Sequence, residues 1–166
     1  MFSSNTPIQK LPQDKKIEMS MYVTKILIVD DFLPWQRFVL TMFELEPDFK
    51  IISVASNGLE AVQKAMELQP DVILMDVSMP GMSGIAATRQ IRLLSPASRI
   101  LFLSAHRSSD LIQATFDAGG SGYILKCDSN SDLIPGVRAV LLDRQFVSHT
   151  LKGWRESYFF TSLKWG

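Results

Sequence analysis

A chain of 166 residues is long enough to bury one hydrophobic core and short for a second. Hydrophobic residues make up 46% and charged residues 20%, the balance of an ordinary water-soluble domain. Lys+Arg and Asp+Glu stand at 17 each, so no overall field favours nucleic acid or an anionic membrane, and any electrostatic function must be local.

Residues 1–22 are polar, carry two prolines and show no sustained period; they predict a flexible leader, with Met19 and Met21 as alternative starts before the first strand. This stretch lacks the continuous apolar core of a signal peptide, and no segment reaches the roughly 18 apolar residues needed to span a bilayer. From Lys25 five short apolar runs follow: KILIV (25–29), IISVA (51–55), VILM (72–75), RILFL (99–103) and GYILK (122–126). They are continuous rather than alternating, which predicts strands of a parallel sheet covered on both faces.

Helix signals lie between them. Pro34 suits a first turn before Trp35, Phe38, Val39, Met42 and Phe43. Asn57 is placed to cap a helix bearing Leu59, Val62, Ala65 and Met66, with Glu60 completing a capping box. Ser83 is placed to cap the next, bearing Ile85, Ile91 and Leu94 and stopped by Pro96. Ser108 or Ser109 opens a fourth, closed by Gly119-Gly120. Asp132 is read as the cap of the fifth, because Pro135 then falls in its first turn. Cys127 is the only cysteine, which excludes an internal disulfide and a thiolate cage and suits a reducing cytoplasm.

The predicted order is (βα)5, an open doubly wound α/β sheet. Strand order is not set by periodicity. Order 2-1-3-4-5 would put a site beyond the carboxyl ends of strands 1 and 3. What stands at those ends is suggestive. Asp30-Asp31 closes the first run, Asp76 the third, Ser104 the fourth and Lys126 the fifth. Taken singly, each has a plainer role: a helix cap, a turn residue, a solvated strand end. Together, in a parallel sheet, they converge on one edge. Clustered carboxylates repel unless a cation joins them, and oxygen ligands favour Mg²⁺ or Mn²⁺ over zinc. Ser104 and Lys126 would then hold phosphoryl oxygens.

The motifs ILIVDD, VILMDVSMPGMSG, ILFLSA and AGGSGYILK resemble a response-regulator receiver domain of two-component signalling, over residues 25–143. The separations Asp31–Asp76, Asp76–Ser104 and Ser104–Lys126 (45, 28 and 22 residues) match that family as well. The resemblance implies a flavodoxin-like sheet of order 2-1-3-4-5 in a domain at 23–143. Asp76 would accept a phosphoryl group from the phosphohistidine of a histidine kinase or phosphotransfer protein, or from a small acyl phosphate. Asp31 would bind Mg²⁺ directly, Asp30 mostly through water, and the Ser78 backbone carbonyl would be a further ligand beside Asp76. Ser104 and Lys126 would hold the phosphorylated side chain, and the Tyr123 ring would follow Ser104 inward. Ser78 and His106 would flank the water path and tune dephosphorylation. The expected output is a changed contact with a protein partner, homodimerisation included, rather than catalysis or membrane insertion.

Two departures stand out. Many receivers carry proline after the lysine; here Cys127 follows, as in regulators of the NarL/LuxR type. Regulators of that type continue into a helix-turn-helix domain, whereas the 144–166 tail is too short for one, so direct reading of duplex DNA is not expected. QFVSHTLKG resembles the linker before such domains. The tail also mixes Arg144, Lys152, Arg155 and Lys164 with Phe146, Trp154, Tyr158, Phe159, Phe160 and Trp165, which predicts packing on the domain or on a partner. Two rival readings remain: an enzyme on the same architecture, flavin protein or phosphatase, and a receiver fragment of a DNA-binding regulator.

Overall fold

A computed structural model describes residues 22–154. The elements run β1 (Thr24–Val29), α1 (Leu33–Phe43), β2 (Phe49–Ala55), α2 (Gly58–Leu68), β3 (Val72–Asp76), α3 (Gly84–Leu94), β4 (Arg99–Ser104), α4 (Ser109–Asp117), β5 (Gly122–Leu125), a 3-10 turn (Lys126–Asp128), α5 (Ser129–Leu141), β6 (Phe146–Val147) and a second 3-10 turn (His149–Leu151). The strands form one parallel sheet of order β2-β1-β3-β4-β5-β6. The expected order therefore holds, with one strand added.

Both faces of that sheet are covered, which explains the unbroken apolar runs. Leu27, Val29, Ile73 and Met75 pack with Ala61 and Ala65 of α2, Ala87 and Ile91 of α3 and Ile112 of α4. The alternate residues Ile26, Ile28 and Leu74 pack with Val39 and Phe43 of α1 and Leu133 and Val137 of α5. Successive side chains along a strand point to opposite faces, so an all-apolar strand is one with helices on both sides.

The helix ends largely follow the sequence signals. Asn57 Oδ1 accepts from the Glu60 N–H at 2.9 Å, while Glu60 Oε2 accepts from the Ser56 N–H at 2.9 Å, one residue outside the usual capping box. Ser83 and Ser108 cap α3 and α4 through the Ala86 and Leu111 N–H groups. Gly119, at φ +105°, ends α4 in a conformation that disfavours other residues. The Lys126–Cys127 peptide is trans, like every other described peptide bond.

Three sequence expectations need correction. Asp132 does not cap α5, which begins at Ser129 and carries Pro135 in its interior. The preceding 3-10 turn feeds directly into the helix, and the Asp132 carboxylate instead accepts from the His149 N–H at 2.8 Å. Leu59 and Met66 are largely exposed, and α2 buries Gly58, Ala61 and Ala65 in their place. Close approach is the reason: a Cβ on Gly58 would stand 2.6 Å from the Met82 carbonyl oxygen. Leu94, read as part of the buried face of α3, is 41% exposed.

The sheet also extends past residue 143, where the sequence reading closes the domain. Phe146 and Val147 pair with Gly122 and Tyr123, Leu151 is buried, and Trp154 stacks on Phe116 at 5.6 Å between ring centroids. This part of the tail packs back on the domain. The expectations on the leader and on Arg155, Tyr158, Phe159, Phe160, Lys164 and Trp165 fall outside the described residues. Ser148 pins the new edge: its buried Oγ accepts from the Leu125 N–H at 2.8 Å. Ser148→Ala is expected to strand that donor and lower stability by about 1–3 kcal/mol, measured by chemical denaturation.

Candidate functional site

β1 and β3 are neighbours, so their carboxyl ends bring the acidic residues together. Asp30, Asp31 and Asp76 each offer a carboxylate oxygen, and the three lie within 4.8 Å of one another. Asp30 and Asp76 are buried and Asp31 is exposed. The Asp30 side chain is held by the Phe32 N–H at 2.8 Å, and its carbonyl accepts from Gln36 Nε2 at 2.6 Å. Gln36, buried on α1, is a supporting residue that the sequence reading missed, since a glutamine within an apolar helix pattern carries no signal of its own.

Lys126 crosses from the far side of the sheet. Its ammonium lies 2.6 Å from Asp30 Oδ2 and 3.7 Å from Asp76 Oδ2. It sits in the turn after β5 rather than in the strand itself. Burial, then the charge of Asp30, push the Asp76 carboxyl up to about 6, against the pull of the Lys126 ammonium and the Ser78 N–H. One ammonium does not balance three clustered carboxylates.

Ser104 ends β4, one residue past Leu103, which is the partner of Asp76 in the sheet. Its buried Oγ accepts from the His106 N–H at 3.1 Å. Tyr123 is fully buried, and its hydroxyl donates to the His106 carbonyl at 2.7 Å. The β4–α4 loop is thereby tied at adjacent points to a strand end and to β5. Ser78 is exposed on the β3–α3 loop, its N–H 3.4 Å from Asp76 Oδ1, and His106 is exposed on the β4–α4 loop. The strand-end residues thus gather as a group, with Ser78 and His106 on the two flanking loops.

A second acidic group, Asp128, Asp132 and His149, lies near the tail. Its carboxylates are engaged internally, Asp128 by the Thr150 hydroxyl and Asp132 by Ser131 and His149. These contacts moor the second 3-10 turn to α5. Among the described residues no helix is long and apolar enough to cross a membrane.

The acidic group fits a hard divalent ion: three carboxylates in reach of one another, no thiolate or imidazole among them. The same group argues against a flavin site, because the loop after β1 presents Asp30 and Asp31 where a bare phosphate would need N–H donors.

Comparison with known proteins agrees with this geometry. The family model of the response regulator receiver domain matches residues 26–138. The transcriptional regulatory protein LiaR of Bacillus subtilis is 36% identical over 115 residues, which are 69% of this chain and 54% of LiaR. A protein-glutamate methylesterase/protein-glutamine glutaminase of Carboxydothermus hydrogenoformans is 39% identical over 112 residues, 66% of this chain and 31% of that enzyme. Among solved structures, a LuxR-family two-component response regulator from Aurantimonas sp. SI85-9A1 superposes with a TM-score of 0.78 at 30% identity, covering 83% of this chain and 99% of that one. The chain spans about half the length of LiaR and about a third of that of the methylesterase. The match over residues 26–138, with the parallel sheet and acidic edge found there, makes this chain a member of the response regulator receiver domain family.

Proposed function

We propose that this receiver takes a phosphoryl group on Asp76, from the phosphohistidine of a histidine kinase or phosphotransfer protein or from a small acyl phosphate. The observation that carries the reading is the placement of Lys126, 3.7 Å from Asp76 and anchored on Asp30. A buried carboxylate beside a fixed ammonium is both a nucleophile and half of an anion site. In the transfer, an Asp76 carboxylate oxygen forms the new bond to phosphorus. The bond from phosphorus to the donor's nitrogen or acyl oxygen breaks, and the donor keeps the electron pair. Lys126 then faces the phosphoryl oxygens and Ser104 offers its hydroxyl to them.

Asp30, Asp31 and Asp76 would hold Mg²⁺ or Mn²⁺, with the Ser78 carbonyl as a further oxygen ligand. Such an ion supplies charge neutralisation for the arriving phosphoryl group. Attack needs the ionised Asp76, and an ion needs it too; with its carboxyl raised to about 6 in the metal-free chain, Mg²⁺ affinity should rise as pH passes through that value.

Output follows from the ties around Ser104. A hydroxyl drawn toward the new charge pulls on the His106 N–H it now holds, and Tyr123 is bonded to the same residue's carbonyl. The change would reach α4, β5 and α5 and alter contacts with a protein partner or a second copy. A second reading, that the chain is the receiver part of a DNA-binding regulator, is favoured by the transcriptional regulators among its relatives.

The deciding experiment is mass spectrometry after incubation with acetyl phosphate and Mg²⁺. One added phosphoryl group is expected, and none would end the proposal. Ser78 and His106 flank the site on separate loops, so exchanging both side chains should change the half-life of the acyl phosphate several-fold. An unchanged half-life would remove them from the hydrolytic path.

A further inference from the structure

Trp35 follows the acidic pair by one helical turn. By periodicity it belongs to the apolar face of α1, yet its ring lies beside the site. Lys126 Nζ stands 5.0 Å from the centroid of that ring. The ring itself is braced on Phe38, 5.0 Å away at a 37° tilt. Its backbone is set in the first helical turn by Pro34 and by a 3.0 Å bond from its N–H to the Phe32 carbonyl.

Two features separate this from ordinary packing. The Trp35 Nε1–H is buried with no hydrogen-bond partner among the described residues. A buried donor without an acceptor is a cost that phenylalanine or leucine would avoid in the same space. What indole offers in return is the strongest quadrupole for a cation over its face. The second feature is competition. Lys126 relies on Asp30 at 2.6 Å and Asp76 at 3.7 Å, the same carboxylates that a divalent ion would claim. The Lys126 side chain is 21% exposed and sits on a flexible stem, so a lysine that loses Asp30 has a way out to water. Trp35 is the neighbour that an ion does not take.

We propose that Trp35 is a positioning residue, its indole face keeping the Lys126 ammonium in the phosphoryl pocket once a divalent ion occupies the acidic residues. This rests on the receiver reading above and adds a residue that acts through Lys126 rather than on the phosphoryl group.

A double-mutant cycle on the full chain tests it, read as the rate of phosphoryl uptake from acetyl phosphate at saturating Mg²⁺. Trp35→Leu is expected to slow uptake about fivefold and Trp35→Phe about twofold, the order of their quadrupoles. In a Lys126→Met background the Trp35→Leu change should cost nothing further, while Mg²⁺ affinity of the single variant stays within about twofold of wild type. A slowing of equal size in both backgrounds would show simple packing and overturn the proposal. Should Trp35→Leu fail to fold, Trp35→Phe, which keeps the ring stack, decides by the same cycle. Independently of phosphorylation, the Lys126 side-chain protons should carry an upfield ring-current shift in NMR spectra with Mg²⁺ present. Its absence in wild type overturns the proposal. If wild type takes no phosphoryl group at all, the receiver reading fails first and this one with it; uptake with additive variants sinks only the role of Trp35.

Discussion

Asp76→Asn is expected to abolish phosphoryl uptake and, in the absence of divalent ions, to make the chain more stable at neutral pH. The first effect is chemical, since an amide oxygen carries no charge with which to form a bond to phosphorus. The second is electrostatic. Asp76 is 6% exposed, faces Asp30 and Asp31, and has its carboxyl pushed from 3.8 up to about 6, by burial first and by Asp30 next. The folded chain therefore holds this proton more tightly than the unfolded chain does. The Asp76 contribution to stability is fully present below about pH 4, is lost as pH rises to about 6, and levels off above. The fall amounts to about 3 kcal/mol at most. Asparagine removes the penalty, so the variant should gain about 1–3 kcal/mol at pH 7.5 in a chelator and nothing at pH 4. Added Mg²⁺ should narrow the gap by stabilising wild type more than the variant. Thermal unfolding at the two pH values, with and without Mg²⁺, reads all of this. A variant no more stable than wild type at neutral pH would mean that neither burial nor the neighbouring carboxylates hold the Asp76 carboxyl up.

Gly84→Ala is expected to damage fold and site together. On helix propensity alone alanine should win by about 1 kcal/mol at this first position of α3. The structure reverses that sign. A Cβ at Gly84 would stand 2.0 Å from the Asp76 carbonyl oxygen and 3.0 Å from its carbonyl carbon. Both are backbone atoms at the end of a central strand and have no rotamer by which to yield. Either α3 lifts off the sheet or Asp76 moves. A loss of about 2–4 kcal/mol follows, with weaker Mg²⁺ binding and slower phosphoryl uptake. Gly81 is the natural comparison: it has φ +75° but nothing within 4 Å of its missing Cβ, so Gly81→Ala should cost only backbone strain. Calorimetry and Mg²⁺ titration on the two variants distinguish steric displacement from loop stiffening. Equal behaviour of both would remove the α3–Asp76 contact from the account.

How far the sequence is legible depends on whether a signal is local. Asn57, Ser83 and Ser108 cap helices because a short polar side chain before an apolar period satisfies N–H groups two or three residues on. Asp132 carries the same local signal and misleads, since its carboxylate is captured by His149 across the fold. β6 is only two residues long, too few for any period, and becomes a strand because β5 leaves an edge to pair with. Leu59 and Met66 have the spacing of a buried stripe, but α2 lies so close to its neighbours that it fully buries Gly58, Ala61 and Ala65, with Val62 partly covered beside them.

The site divides along the same line. Which chemical group ends each strand, carboxylate, hydroxyl or ammonium, is written locally, and continuous apolar runs with one helix between each pair already imply a parallel sheet with all those ends on one edge. Which ends become neighbours, and at what distance, is set by the packing of the folded chain. β1 beside β3 puts Asp30 near Asp76, Lys126 reaches across to both, and Trp35 comes to lie under Lys126 from a helix far earlier in the chain. Periodicity reports whether a residue faces the core. It carries no information on contacts between elements far apart in sequence, because those are set by the packing of whole elements and not by any residue's immediate neighbours.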